Sequence, residues 1–122
     1  MQLVLASASP ARLAVLRAAG IEPVVHVSGV DEDAVAASLA DPTPVELVAA
    51  LATAKADAVV PAIAGRYPDA VVVGCDSMLI MDGPGGREVV GKPHTEDVAR
   101  ARWASMAGTT GELVTEIGRA HV

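Results

Sequence analysis

The sequence LVLASASPARLAVL, residues Leu3 to Leu16, decides how the fold of this chain begins. Its apolar run from Leu3 to Ala6 is typical of a buried β-strand. The run stops at Ser-Ala-Ser-Pro, and apolar residues then recur at helical spacing up to Gly20, a residue type that commonly ends a helix. The pattern therefore predicts a strand that turns directly into a helix.

The turn between this strand and helix has the features of an anion-binding site. A helix N-terminus presents unpaired backbone N–H groups and the positive end of the helix dipole. Pro10 suits the first helical turn, where its missing N–H costs little. Ser7 supplies a hydroxyl, and Arg12 supplies a fixed positive charge with several donors. These features predict a phosphate-binding site; the alternative is a plain serine cap beside a solvated arginine.

The remaining hydrophobic pattern predicts an alternation of strands and helices. Strands are predicted at residues 23–27, 70–79, 87–90 and 112–115, and helices at residues 33–39, 44–60 and 95–106, with a turn at residues 82–86. The β-branched segment from Ala70 to Leu79 is expected to be the central strand. This order indicates an α/β fold with a mixed sheet flanked by helices.

Composition excludes several classes of protein. The chain has 122 residues, of which 52% are hydrophobic but only 2% aromatic, so an aliphatic core is expected. The net charge of -6 argues against nonspecific binding to DNA or RNA, which needs a basic surface. It does not argue against a nucleotide substrate, because a pocket can be locally positive in an acidic protein.

The single cysteine, Cys75, lies in an apolar run and is expected to be a core residue. One cysteine cannot form an internal disulfide, which favours a reducing compartment. No segment has the roughly 18 consecutive apolar residues of a membrane helix, and the N-terminus lacks a signal-peptide pattern. We therefore expect a cytoplasmic protein with no membrane partner.

Asp76 is the most informative single residue for function. It follows the apolar run Val71 to Cys75, where a charge is costly unless it is paired or binds a metal. At the carboxyl end of a strand, it would project into a ligand crevice. The alternative is an aspartate that only caps a turn.

The two lysines of the chain, Lys55 and Lys92, are further candidates for phosphate binding. The alternative for each is a solvated surface lysine. Lys92 belongs to the segment from Gly86 to Pro93, GREVVGKP, which nearly matches the phosphate-loop pattern GxxxxGK[ST]. Pro93 offers neither the hydroxyl nor the N–H that this loop requires, so we reject that interpretation.

Five segments resemble, in order and spacing, the Maf family of nucleoside triphosphate pyrophosphatases, also called septum formation inhibitor homologues. They are LASASPARL (5–13), VSGVDED (27–33), LATAKA (51–56), VVVGCDSML (71–79) and GKP (91–93). The resemblance is closest to the actinobacterial members. It implies a fold like that of Maf and inosine triphosphate pyrophosphatases, and hydrolysis of noncanonical nucleoside triphosphates to the monophosphate and pyrophosphate. For the full-length protein it also suggests a homodimer.

The resemblance also assigns roles to individual residues. Asp76 matches the family's proton acceptor, and Glu32 matches a second carboxylate that would bind Mg²⁺ or Mn²⁺ together with Asp76. Lys55 and Lys92 match functional lysines, which would hold the triphosphate together with Ser7 and Arg12. Base preference stays open, because neither Ala11 nor Ser77, at two specificity positions, matches a well-known subfamily. The alternative function is a noncatalytic, nucleotide-binding regulator of septum formation.

The end of the chain departs from the family pattern after Thr115. Residues 116–122, EIGRAHV, match the translation of a common sequencing-adapter sequence, so we expect them to be a non-native tail. A divergent native tail is the alternative. We accordingly expect residues 1–115 to be the N-terminal part of a single, incomplete Maf-like domain, and the 122-residue chain alone to be inactive.

Overall fold

The computed structural model describes residues 1–83 and 85–122. Within these ranges the strands are β1 (Leu3–Leu5), β2 (Val24–Val25), β3 (Val71–Gly83), β4 (Gly86–Val90) and β5 (Gly111–His121). The helices are α1 (Pro10–Ala18), α2 (Glu32–Ala37), α3 (Pro44–Ile63) and α4 (Glu96–Met106). These residues form two compact units: the first unit contains Met1–Asp76 and Thr115–Val122, and the second unit contains Ser77–Val114.

In the first unit, strand β1 lies between β2 and the start of β3 and runs parallel to both. Val4 is paired with Val24 on one side and with Val72 on the other. Parallel strands need crossover connections, which α1 provides between β1 and β2, and α2 with α3 provide between β2 and β3. The strand-to-helix turn predicted after β1 is therefore present.

The core of the first unit is aliphatic, in line with the composition. Its buried cluster combines residues of the parallel strands with one face of α3: Val4, Ala6, Ala56, Val59, Ile63, Ala70 and Val72. Small and β-branched side chains pack closely on a pleated sheet, and burying them on both faces is typical of parallel strands.

The helices begin where the sequence supplies capping residues. The side chains of Ser9, Asp31, Thr43 and Thr95 each accept a hydrogen bond from a backbone N–H in the first turn of the following helix. The predicted end of α3 at residue 60 is wrong, because the helix continues through Pro61 to Ile63. Only one helical hydrogen bond is lost at Pro61, while the extra turn buries Ile63 in the core.

In the second unit, the far half of β3 forms an antiparallel hairpin with β4. The pairing runs from Leu79 opposite Val90 to Gly83 opposite Gly86. Strand β3 is consequently longer than the predicted segment 70–79, because hairpin pairing keeps the backbone extended through polar residues. The predicted turn at residues 82–86 includes position 84, which lies outside the described residues.

Strand β5 also pairs with β3, which completes a five-stranded mixed sheet. The predicted strand start at residue 112 agrees with β5, but the strand continues to His121. Next to it, the N–H of Val122 donates to the carbonyl of Ala70 at 3.1 Å. The assignment of residues 116–122 as a non-native tail stays a prediction. The predicted α/β class with a mixed sheet is confirmed, and none of the helices described has the length and apolarity needed to cross a membrane.

Replacing Ile63 with Ala is expected to lower the free energy of unfolding by about 2–5 kcal/mol, the usual range for truncating a buried isoleucine. Ile63 is 3% exposed, whereas Ile21 is 40% exposed, so Ile21→Ala is the matched control and should cost less. Urea unfolding of both variants measures the difference. Equal losses would contradict the position of Ile63 in the core.

Candidate active site

The turn between β1 and α1 is organised around the hydroxyl of Ser7. Its side chain is buried, and Oγ accepts hydrogen bonds from the backbone N–H of Ser9 at 3.1 Å and from Nη1 of Arg12 at 3.3 Å. Ser9 in turn caps α1 by accepting from the backbone N–H of Arg12 at 3.3 Å. The two residues predicted for phosphate binding are therefore in direct contact beside a helix N-terminus.

Arg12 also connects this turn to strand β3. The same Nη1 atom donates to the backbone carbonyl of Cys75 at 2.9 Å. Cys75 immediately precedes Asp76, so the guanidinium group is held beside the segment that carries the predicted proton acceptor. Sequence reasoning did not foresee this contact, because it joins residues 63 positions apart.

Asp76 and Glu32 both bind the ammonium group of Lys55. Nζ of Lys55 lies 2.8 Å from Oδ1 of Asp76 and 2.8 Å from Oε1 of Glu32. The side chains of Lys55 and Asp76 are only 15% and 13% exposed, whereas that of Glu32 is 55% exposed. Three elements, α2, α3 and β3, thus each contribute one charged group to a single cluster.

Burial and charge act in opposite directions on Lys55. Burial by itself lowers the pKa of this ammonium, but the hydrogen bonds and negative charges of Asp76 and Glu32 outweigh it, so the pKa of Lys55 is raised. Lys55 is therefore a cation at neutral pH. With two carboxylates around one ammonium, the cluster keeps one excess negative charge.

Asp76 does not lie at the end of a strand, as the sequence suggested, because β3 continues to Gly83. It lies instead beyond the point where pairing with β1 stops, at Leu5 opposite Val73. A carboxylate past the last paired residue of a parallel strand faces the crevice in which α/β proteins bind ligands. Asp76 lies within β3 and is paired with Lys55, so it does not cap a turn.

The oxygen atoms of Glu32 and Asp76 are suitable ligands for Mg²⁺ or Mn²⁺. They converge on one cationic atom, and Mg²⁺ is commonly held by one or two carboxylates together with phosphate oxygens. Among the residues that the structure describes, no three His, Cys, Asp or Glu side chains are grouped as a protein-only metal site. Two carboxylates fit a site in which phosphate oxygens would supply further ligands to the metal.

Three other predicted site residues do not belong to the ionic cluster of Lys55, Asp76 and Glu32. Ala11 is exposed on α1. Ser77 and Lys92 belong to the second unit, where Ser77 is exposed on β3 and Lys92 is exposed just after β4. Their predicted roles, like those of the clustered residues, stay predictions.

The fold and these contacts define an α/β protein in which the turn that carries Ser7 and Arg12 is joined to the strand that carries the Lys55–Asp76 ion pair. The family model described as "Maf-like protein" matches residues 2–120. The chain belongs to this family, and the resemblance noted in the sequence is confirmed.

Two curated relatives are similar in sequence to most of this chain. A protein of Saccharopolyspora erythraea is 68% identical over 115 residues, which are 94% of this chain and 53% of the relative. A protein of Nocardia farcinica is 65% identical over 114 residues, covering 93% of this chain and 52% of the relative. Both are named nucleoside triphosphate pyrophosphatase. The chain spans about half the length of these relatives.

Replacing Lys55 with Met is expected to destabilise the protein at neutral pH and less so in alkali. Because the pKa of Lys55 is raised in the folded state, its ionic contacts contribute fully below the ordinary lysine pKa of about 10.4. The contribution is lost as the pH rises through the folded-state value. The difference in unfolding free energy between wild type and Lys55→Met, measured in urea, should therefore shrink in alkali.

The matched control for this experiment is Lys92→Met, since Lys92 is exposed. Its effect should stay within about 0.5 kcal/mol at both pH values, as for most surface substitutions. A Lys55→Met effect that is the same at neutral and at alkaline pH would argue against the ionic cluster.

Proposed function

We propose that this protein is a nucleoside triphosphate pyrophosphatase, which hydrolyses the bond between the α- and β-phosphates to give the monophosphate and pyrophosphate. The observation that supports this most strongly is the hydrogen bond from Arg12 to the carbonyl of Cys75. It holds a phosphate-binding cation beside Asp76. The names of the relatives point to the same reaction.

The first requirement of this reaction is to bind and neutralise a polyanion. Arg12 would bring its fixed positive charge to the phosphate oxygens, and the buried hydroxyl of Ser7 is held in place by Ser9 and Arg12. The N-terminus of α1 adds the positive end of its dipole. We assign Lys55 and Lys92 to the same task, as further cations for the triphosphate.

The second requirement is a base for the attacking water. Asp76 would accept the proton of this water, because its carboxylate is positioned by Lys55 next to the phosphate site. Glu32 and Asp76 would hold Mg²⁺ or Mn²⁺. The bound ion would neutralise the negative charge of the phosphate oxygens. Glu32 is the more exposed of these two carboxylates.

Substrate choice and context are further parts of the proposal. Ala11 and Ser77 would contact the base, and noncanonical nucleotides are the proposed substrate class.

We propose a cytoplasmic location, because the single thiol, Cys75, is free and buried. The acidic net charge supports the absence of a nucleic-acid partner. A homodimer is proposed for the full-length protein.

The direct test is to incubate the full-length gene product with a panel of nucleoside triphosphates and Mg²⁺ or Mn²⁺. We expect release of pyrophosphate together with the corresponding monophosphate. Release of orthophosphate would assign cleavage to another bond and contradict the proposal. Tight nucleotide binding without any turnover would instead support the noncatalytic regulator of septum formation.

Replacing Asp76 with Asn is expected to lower turnover at least about 100-fold, the usual minimum for removing a general base. Nucleotide binding should persist, because Asn keeps the shape and removes a negative charge near the phosphates. The matched control is Asp57→Asn on the exposed side of α3, which should leave turnover unchanged. Near-normal turnover of the Asp76→Asn protein would remove Asp76 from the mechanism.

A further inference from the structure

Strand β3 meets helix α3 backbone to backbone at Gly74. A Cβ atom placed on Gly74 would lie 2.9 Å from the backbone nitrogen of Ala56 and even closer to the carbonyl oxygen of Ala52. In helical geometry these two atoms form one hydrogen bond, from the N–H of Ala56 to the carbonyl of Ala52. Gly74, Ala52 and Ala56 are all buried.

The reason for glycine at this position is space, not backbone conformation. Gly74 lies within β3 and has no left-handed φ angle, so an alanine could adopt the same backbone. Ordinary contact with a Cβ atom begins at 3.4 Å, and the atoms in the way belong to a helix backbone. A helix backbone cannot move away from the added Cβ atom as the end of a flexible side chain can.

This contact is adjacent to the ionic cluster. Lys55 precedes Ala56 on the helix, and Asp76 lies two residues after Gly74, on the same face of the strand. The distance between strand and helix at Gly74 therefore sets the distance that Lys55 and Asp76 must bridge. The ammonium is also held by Glu32 at 2.8 Å, which limits how far Lys55 can follow a displaced partner.

We infer that Gly74 is a positioning residue for the proposed reaction. By letting β3 and α3 touch, it fixes the carboxylate of Asp76 relative to Lys55 and the phosphate site. This inference rests on the proposed role of Asp76 as proton acceptor. Displacing a reacting group by about 1 Å can cost about 100-fold in rate, so a single methyl group is enough to matter.

The first experiment is Gly74→Ala in the full-length protein. Strand β3 is held by β1, where the N–H of Ala6 donates to the carbonyl of Val73 at 2.9 Å, so α3 is the element that moves. We expect kcat to fall about 10- to 100-fold and KM to rise by a smaller factor, since Lys55 moves with α3 while Ser7 and Arg12 do not lie on it. Wild-type kcat in a folded Gly74→Ala protein would overturn the inference.

The matched control is Gly65→Ala. Gly65 follows α3, has no left-handed φ angle, and a Cβ atom there meets nothing within 4 Å. Both kcat and KM should stay at the wild-type values. A loss of kcat at Gly65→Ala equal to that at Gly74→Ala would also overturn the inference, because it would show a general effect of adding a methyl group.

A double-mutant cycle separates positioning from simple loss of stability. Asp76→Glu lengthens the carboxylate arm by one methylene and should slow the wild-type protein. In the Gly74→Ala background the longer arm spans the widened gap, so the double variant should be faster than the product of the two single effects predicts. Multiplicative losses would mean that Gly74 does not act through Asp76.

Two further measurements apply if the Gly74→Ala protein does not fold or if the proposed function is wrong. If Gly74→Ala does not fold, Ala56→Ser is the second variant. Ala56 packs in the buried cluster between α3 and the sheet, so the added atom should also displace the helix, with a smaller loss of kcat and the same rescue by Asp76→Glu. If the wild-type protein releases no pyrophosphate, the proposed function fails. Amide exchange at Ala56 then still tests the contact: it should be faster in Gly74→Ala than in Gly65→Ala, and equal rates would overturn the inference.

Discussion

The ammonium of Lys55 binds two carboxylates at once, and the arrangement of the candidate site depends on this interaction. Asp76 is largely buried and follows the apolar run Val71 to Cys75, and an unpaired charge there would cost several kcal/mol. Lys55 compensates this charge and reaches Glu32 at the same distance. Helices α2 and α3 and strand β3 are consequently tied together at the point where chemistry is proposed.

The parallel pairing of β1 and β3 places a second set of polar groups next to this cluster. Ser7 and Arg12 follow β1, while Cys75 and Asp76 follow the last residue of β3 that pairs with β1. The hydrogen bond from Arg12 to the Cys75 carbonyl joins the two chain segments. Ser7 and Arg12 thus come next to Asp76 because β1 ends, and its pairing with β3 stops, at the same level of the sheet.

Local signals in the sequence predicted much of this fold. The apolar run from Leu3 to Ala6 and the five-residue separation of Ser7 and Arg12 act over short distances, so spacing alone reveals them. The ionic contact between Lys55 and Asp76 spans 21 positions, and only the packing of α3 on β3 brings these residues together. The space requirement at Gly74 has the same origin. The extension of α3 through Pro61 was missed because tertiary burial of Ile63 outweighs the local propensity of proline.

The most direct test of this account is a pH titration of the Lys55 ammonium by ¹⁵N NMR in the wild-type protein and in Asp76→Asn and Glu32→Gln. We expect a wild-type pKa above the ordinary lysine value of about 10.4 and a lower pKa in each variant. A wild-type pKa at or below the ordinary value, or one that neither substitution changes, would contradict the ionic cluster on which the proposed site is built.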